Sequence, residues 1–75
     1  MVLDEQKIDE SVLALLYLTL HDGCRAWKSF EWQAMTRLHE KGLIENPVNK
    51  AKSVVLTEKG LTEAERLFQE LFVKK

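Results

Sequence analysis

The segment that most constrains the fold is residues 42–60, which reads G-L-I-E-N-P-V-N-K-A-K-S-V-V-L-T-E-K-G. Two short apolar runs, L-I and V-V-L, flank a polar loop that contains the single proline of the chain. Such runs around a loop of turn-forming residues are typical of a β-hairpin. We therefore predict a hairpin with strands at about residues 43–45 and 53–57. Val54 and Leu56 should face the core, because alternate residues of a strand share a face.

A first helix is predicted at about residues 5–20. Asp4 is a suitable N-cap, since its carboxylate can accept a hydrogen bond from the first turn. Gly23 can adopt the left-handed conformation that often follows a helix. Between residues 12 and 20 apolar side chains cover nearly the whole circumference, and such a helix needs contacts on more than one side. It is therefore either the central rod of the fold or, in part, a dimer surface.

A second helix is predicted at about residues 30–41. Ser29 is placed to cap its beginning. Gly42 follows its last turn, where a left-handed residue ends a helix. Leu43 can then contact Leu38, which is the apolar contact of a Schellman ending.

A third helix is predicted at about residues 58–73, and two starts are possible. Thr57 can cap the helix directly, or Thr62 can open a capping box with Glu65. The pattern of this helix is an apolar stripe at i, i+3 and i+4 spacing, made of Leu61, Ala64, Phe68, Leu71 and Phe72.

Length and composition indicate one soluble α+β domain over residues 1–75. A chain of this size buries roughly 60% of its unfolded surface, so its core is marginal. Hydrophobic residues make up 45% and charged residues 31%, which is ordinary for a globular protein. The longest apolar run, residues 12–18, is too short to span a bilayer. The acidic N-terminus does not resemble a secretory signal, and Cys24 is the single cysteine. We therefore expect a cytoplasmic protein.

The order of these elements resembles the C-terminal half of a winged-helix domain, as in the MarR and PadR groups of bacterial repressors. The motifs that carry the resemblance are E-K-G-L-I at residues 40–44 and L-T-E-K-G at residues 56–60. The similarity covers roughly residues 30–72. It implies a winged-helix-like fold in which the hairpin is the wing and the second helix takes the place of a recognition helix.

The whole chain also resembles a small family of uncharacterised bacterial proteins of unknown function. The shared segments are L-A-L-L-Y-L-T-L-H-D-G, R-L-H-E-K-G-L-I and N-K-A-K-S-V-V-L-T-E. This resemblance implies no biochemical role. The chain departs from a DNA-reading winged helix, because only residues 21–29 separate its first two helices. They can hold a turn, or a very short strand at residues 26–28, but not a supporting helix, so insertion into a DNA groove is disfavoured.

Charge is unevenly distributed along the chain. Residues 1–24 carry five acids and one base, whereas residues 25–53 carry six bases and three acids, an excess of +3. Phosphate contacts from such a segment give salt-dependent binding with little sequence reading. The candidates for nucleic-acid contacts are Arg37, Lys41, Lys50 and Lys52, joined by Arg25 and Lys28. The acids Glu31, Glu40 and Glu45 lie in the same segment and oppose such binding.

The first and third helices offer enough apolar surface for self-association. The candidate dimer contacts are Leu67, Leu71, Phe72 and Tyr17. The alternative is that the two helices bury one another within one core. We expect a homodimer, because a marginal core gains most from pairing. Trp27 and Trp32 are expected in the core.

No residue pattern indicates catalysis, a cofactor or a metal. His21, Asp22, Cys24 and His39 contain suitable ligand atoms, but their spacing matches neither C-x-x-C nor H-E-x-x-H. A domain this small also leaves little room for a substrate pocket. We therefore expect a non-enzymatic binding module that works through protein contacts. The alternative is a DNA-binding protein similar to a transcription regulator.

Overall fold

The computed structural model describes residues 1–28 and 30–74. Three helices and two antiparallel strands follow in the order α1 (Glu5–Leu18), β1 (Arg25–Trp27), α2 (Trp32–Glu40), β2 (Ser53–Val55) and α3 (Glu58–Phe72). This confirms the predicted α+β class, and the arrangement is consistent with a winged-helix-like architecture. Of the turn or very short strand predicted between α1 and α2, the structure has the strand, at Arg25–Trp27 rather than residues 26–28.

Two helix starts agree with the predicted caps. The Asp4 carboxylate accepts a hydrogen bond from the backbone N–H of Lys7 at 3.1 Å, and α1 follows directly. Of the two possible starts of α3, the structure has the earlier one, since the Thr57 hydroxyl accepts from the backbone N–H of Gly60 at 2.9 Å. α1 ends at Leu18, two residues before its predicted end.

α2 begins later than predicted and ends as predicted. Its first residue is Trp32, and the carboxylate of Glu31 accepts a hydrogen bond from the backbone N–H of Gln33. The predicted cap, Ser29, lies outside the described residues. At the other end Gly42 has φ +76°. The backbone N–H of Leu43 donates to the carbonyl of Leu38 at 3.0 Å. This is the long hydrogen bond of a Schellman ending.

β2 pairs with β1, with Ala26 opposite Val54. Just after β2, a single bridge joins Leu56 to Ile44 on the other edge, so the chain does fold back on itself as predicted. The second arm is Ser53–Val55 rather than residues 53–57, and the first is one bridge rather than a strand over residues 43–45. The chain leaves the ladder there, because the loop that follows contains a proline, which has no N–H to donate.

The core surrounds α1, which contacts α2, α3 and β1. Its buried members include Leu13 and Leu16 of α1 and the inward-facing Val54 and Leu56, each at most 2% exposed. The expectation that the two tryptophans lie in the core is wrong, because they are 51% and 52% exposed. In β1 the strand alternation turns Ala26 inward and therefore its neighbour Trp27 outward.

Candidate functional site

A cluster of charged side chains joins α1 to α2. Asp9 is only 2% exposed. Its carboxylate accepts hydrogen bonds from Arg37 Nε and Nη2 at 2.8–3.0 Å and from Lys41 Nζ at 3.2 Å. A second acid, Glu5, accepts from Arg37 Nη1 at 3.2 Å. Arg37 therefore binds the carboxylate of Asp9 in the bidentate geometry that gives strong charge-assisted hydrogen bonds.

These contacts keep Asp9 ionised. Burial by itself raises the pKa of Asp9, but the hydrogen bonds and charges of Arg37 and Lys41 together outweigh burial and lower the pKa below its ordinary value. The hydrogen bond to Asp9 in turn raises the pKa of Arg37. Both cations that the sequence places on α2 for phosphate contacts are thus paired with an acid of the same chain. Any phosphate at this surface would have to compete with Asp9.

Asp9 is a residue that sequence reasoning missed, although a signal for it exists. It falls on the buried stripe of α1 together with Val12, Leu13 and Leu16, at the i, i+3, i+4 and i+7 spacing of one helix face. An acid on an apolar stripe needs a cation from another element once it is buried. That requirement points to the basic residues of α2.

A groove of about 370 Å³ lies beside this cluster. Its apolar lining residues are Leu13, Leu38, Leu43 and Leu67, and its polar ones are Gln6, Asp9, Glu10, Lys41 and Glu63. The carboxylate of Glu63 is bound by Arg66 at 2.8 Å, and that contact lowers the pKa of Glu63. Both Asp9 and Glu63 are stabilised in the charged form, which makes them poor proton donors near neutral pH.

The wing loop, residues 46–52, is held in place by the side chain of Lys28, the residue after β1. Lys28 Nζ donates to the carbonyl of Pro47 at 2.7 Å and to Asn49 Oδ1 at 2.8 Å. The side chain of Asn49 also accepts from the backbone N–H of Ala51 at 2.8 Å. The ammonium of Lys28, a predicted nucleic-acid contact, is therefore already hydrogen-bonded to the wing loop.

The remaining predicted cations point away from the core. Lys50 and Lys52 are exposed on the wing loop and have no side-chain hydrogen bond or ion pair within residues 1–28 and 30–74. Arg25 is exposed on β1, where its Nη1 donates to Ser53 Oγ at 3.3 Å. Of the six predicted contacts, Arg37, Lys41 and Lys28 are thus bound to acids or to the wing loop. The other three are exposed, and among them Arg25 makes one hydrogen bond to a hydroxyl.

The outer face of the sheet carries a stacked pair of aromatic rings. A tight turn returns the chain so that His21 pairs with Arg25 through two backbone hydrogen bonds, of 2.8 and 3.0 Å. The turn uses left-handed backbone at Asp22 (φ +49°) and Gly23 (φ +82°). The rings of His21 and Trp27 then stack with centroids 4.4 Å apart and planes 25° apart.

The predicted dimer contacts divide between the core and an exposed apolar surface. Leu67 is 5% exposed and belongs to the core. Tyr17 is half-buried, with its ring centroid 5.1 Å from that of Phe68. Leu71 and Phe72 are 51% and 47% exposed. We call the exposed apolar surface at the ends of α1 and α3 the apolar end, and it comprises Leu18, Leu71, Phe72 and Val73.

Neither a metal-ligand cluster nor a membrane-spanning helix occurs in the described part of the chain. Across residues 1–28 and 30–74 no three His, Cys, Asp or Glu side chains come together as metal ligands would. Within the same residues, no helix has both the length and the apolar character needed to cross a membrane.

Comparison with known proteins places the chain in a family. It is 58% identical over 74 residues to the uncharacterized protein y4hR of Sinorhizobium fredii (strain NBRC 101917 / NGR234), an alignment that covers 99% of this chain and 100% of that protein. No solved structure matches the chain, so the resemblance to the MarR and PadR groups stays a prediction. A family model described as a domain of unknown function, DUF6429, matches residues 4–74. The chain therefore belongs to the DUF6429 family.

Proposed function

We propose that this protein is a small, non-enzymatic binding module that works through protein contacts and forms a homodimer. The observation that carries the proposal is the apolar end, where half-exposed side chains continue directly from the core. The ring of Tyr17 contacts Phe68, and Phe68 contacts Phe72 with centroids 5.8 Å apart. This aromatic row runs from the edge of the core to the surface, which gives a second chain an extension of the core on which to pack.

A second copy is the occupant that we propose for the apolar end, because a domain with so small a core gains most from pairing. A twofold dimer would place each apolar end against its own copy.

Sedimentation equilibrium tests the dimer. The wild-type chain is expected to sediment as a dimer, and Leu71→Asp/Phe72→Asp as a monomer, because carboxylates in an apolar interface lose their hydration. Val48→Asp is the matched control, since Val48 is 69% exposed on the wing loop, and it should remain dimeric. A wild-type chain that stays monomeric at high concentration would overturn the proposal.

The ionisation of Asp9 supports the non-enzymatic part of the proposal. Among the described residues, Asp9 is the one charged side chain that is buried, and its pKa is lowered. Catalytic acids and bases instead have pKa values moved towards the working pH. We further propose a cytoplasmic location, because the chain has one cysteine and makes no internal disulfide.

DNA binding similar to that of a transcription regulator is the second candidate function. The topology of helices and wing favours it, and so do the exposed Lys50 and Lys52. The pairing of Arg37 and Lys41 with Asp9 weighs against it, because those cations would make the phosphate contacts of α2. Titration of random duplex DNA at about 50 mM salt tests this candidate. Tight, salt-sensitive binding that Lys50→Ala/Lys52→Ala abolishes would make DNA binding the leading function.

A further inference from the structure

The outer face of the sheet presents an aromatic platform that folding alone does not explain. Trp27 is 51% exposed although tryptophan is among the side chains that gain most from burial. It is held by strand pairing with Ser53 and by the ring of His21 stacked on it. Both rings are therefore fixed before any partner arrives, so binding a planar group costs little ordering of the protein.

A tight turn places His21 beside Trp27. Asp22 adopts left-handed backbone in that turn, a conformation that aspartate accepts more readily than most residues other than glycine. The result is a bridge between His21 and Arg25, which brings the imidazole diagonally across to Trp27. Diagonal neighbours on a sheet are within reach of aromatic side chains.

Three basic residues lie on or near the sheet that carries these rings. Arg25 lies between the two rings in sequence and on the same face of β1 as Trp27. Lys52 immediately precedes the strand partner of Trp27, and Lys50 lies further along the wing loop. Two exposed acids lie near this face. Asp22 follows His21 in the turn, and Glu45 lies beside the far edge of β2, where its backbone N–H donates to the carbonyl of Val55.

We infer that this face binds single-stranded nucleic acid, with an unpaired base stacked on Trp27 and phosphates contacted by Arg25 and the wing lysines. An unpaired base offers its flat face to an aromatic side chain, whereas the bases of a duplex are stacked on one another. The residues of this site are not those of the apolar end. It also differs from groove insertion by α2, because its cations have no acid partner within residues 1–28 and 30–74.

Fluorescence gives a direct test, since the chain has two tryptophans. In Trp32→Phe the remaining reporter is Trp27, and an oligothymidylate of about 15 nucleotides should quench it as bases stack. With a labelled oligonucleotide at about 50 mM salt, Trp27→Ala should weaken binding by roughly fivefold or more. Trp27→Phe, which keeps a ring, should weaken binding less. Trp32→Ala is the matched control, because Trp32 is equally exposed, and it should bind as the wild type does.

Charge variants test the second half of the inference. Lys50→Gln/Lys52→Gln should weaken binding and flatten the dependence on salt, by a slope of about 0.7 for each phosphate that the variant no longer neutralises. Glu45→Gln should strengthen binding by removing a repulsive charge. Absence of quenching would overturn the inference. So would equal weakening by Trp27→Ala and Trp32→Ala, or equally tight binding of a duplex of the same length. None of these results depends on whether the protein is a dimer.

Discussion

Two regions of the molecule use the same kinds of residue in opposite ways. In the first, which we call the junction, the end of α2, the turn at Gly42 and Leu43 and the start of α3 meet beside Asp9. Its polar groups are bonded within the chain. In the second, the outer sheet face with the wing loop, Trp27 and Lys50 face solvent. The difference teaches that residue type alone does not locate a binding surface; what matters is whether the fold has already supplied partners.

The junction is built around one hydroxyl. Thr57 Oγ1 accepts from the backbone N–H of Gly60 at 2.9 Å and donates to the carbonyl of Gly42 at 2.7 Å. The ammonium of Lys59 donates to the carbonyl of Lys41 at 3.2 Å. The L-T-E-K-G motif therefore fastens the start of α3 to the end of α2. Both glycine-containing motifs of the winged-helix resemblance meet here.

Gly60→Ala should have the largest effect on stability. Alanine is the better helix former by about 1 kcal/mol, but a Cβ at Gly60 would lie 1.8 Å from the backbone oxygen of Leu43. Because backbone cannot move aside cheaply, we expect the free energy of unfolding to fall by about 3 kcal/mol or more. Urea unfolding followed by circular dichroism measures it.

Gly23→Ala is the control for that substitution. Gly23 has left-handed backbone at φ +82°, and a Cβ there would meet no atom within 4 Å. Its cost should be limited to the conformational term, about 1–2 kcal/mol. If Gly60→Ala were as stable as the wild type, the close approach between α3 and Leu43 would be wrong.

Arg37→Ala should have the next largest effect. It leaves the buried carboxylate of Asp9 with Lys41 as its remaining cation, and breaking a buried ion pair from one side costs about 3 kcal/mol. Arg25→Ala removes the same side chain from the exposed sheet face. It should change the free energy of unfolding by less than about 0.5 kcal/mol. If the two substitutions lowered the free energy of unfolding equally, the proposed difference between the junction and the outer sheet face would be wrong.

The dependence on pH sharpens this prediction. The native pKa of Asp9 is lowered below its ordinary value of 3.8. The contribution of Asp9 is therefore complete well above that value and disappears as the pH falls through the native pKa. In Arg37→Ala, the contacts that lower the pKa of Asp9 are fewer, while its burial still raises that pKa. The native pKa of Asp9 therefore rises. The destabilisation measured at neutral pH should shrink on acidification below 3.8, and an unchanged difference would contradict the ion-pair account.

The caps of α1 and α3, the Schellman ending and the inward faces of Val54 and Leu56 could be predicted from sequence. Each depends on residues within a few positions of one another, where backbone geometry leaves few choices. The cap of α2, in contrast, is Glu31 and not the predicted Ser29. Thr57 and Thr62 were equally good caps by local chemistry. The structure has Thr57 as the cap, and its hydroxyl also reaches Gly42, fifteen residues away.

The candidate sites could be predicted only in part, because they depend on contacts across the sequence. The basic excess of residues 25–53 is correct as a count, yet Asp9 pairs with Arg37 from 28 residues away. The exposure of Trp27 depends on which face of β1 turns inward, and a strand of three residues has too short a pattern to decide it. Strand register, rather than composition, places His21 beside that ring.

Lys28→Met should have the smallest effect on the free energy of unfolding. It distinguishes a lysine that is bonded to the wing loop from one that is exposed on it. Methionine keeps the length and apolar stem but removes the hydrogen bonds to Pro47 and Asn49. Because water can replace part of these bonds at an exposed loop, we expect the free energy of unfolding to fall by about 1 kcal/mol, with faster amide hydrogen exchange in residues 46–52. Lys50→Met, the matched control on the same loop, should stay within about 0.5 kcal/mol of the wild type. If both lysines behaved alike, the distinction between a cation that builds the wing and one that is available to a partner would fail.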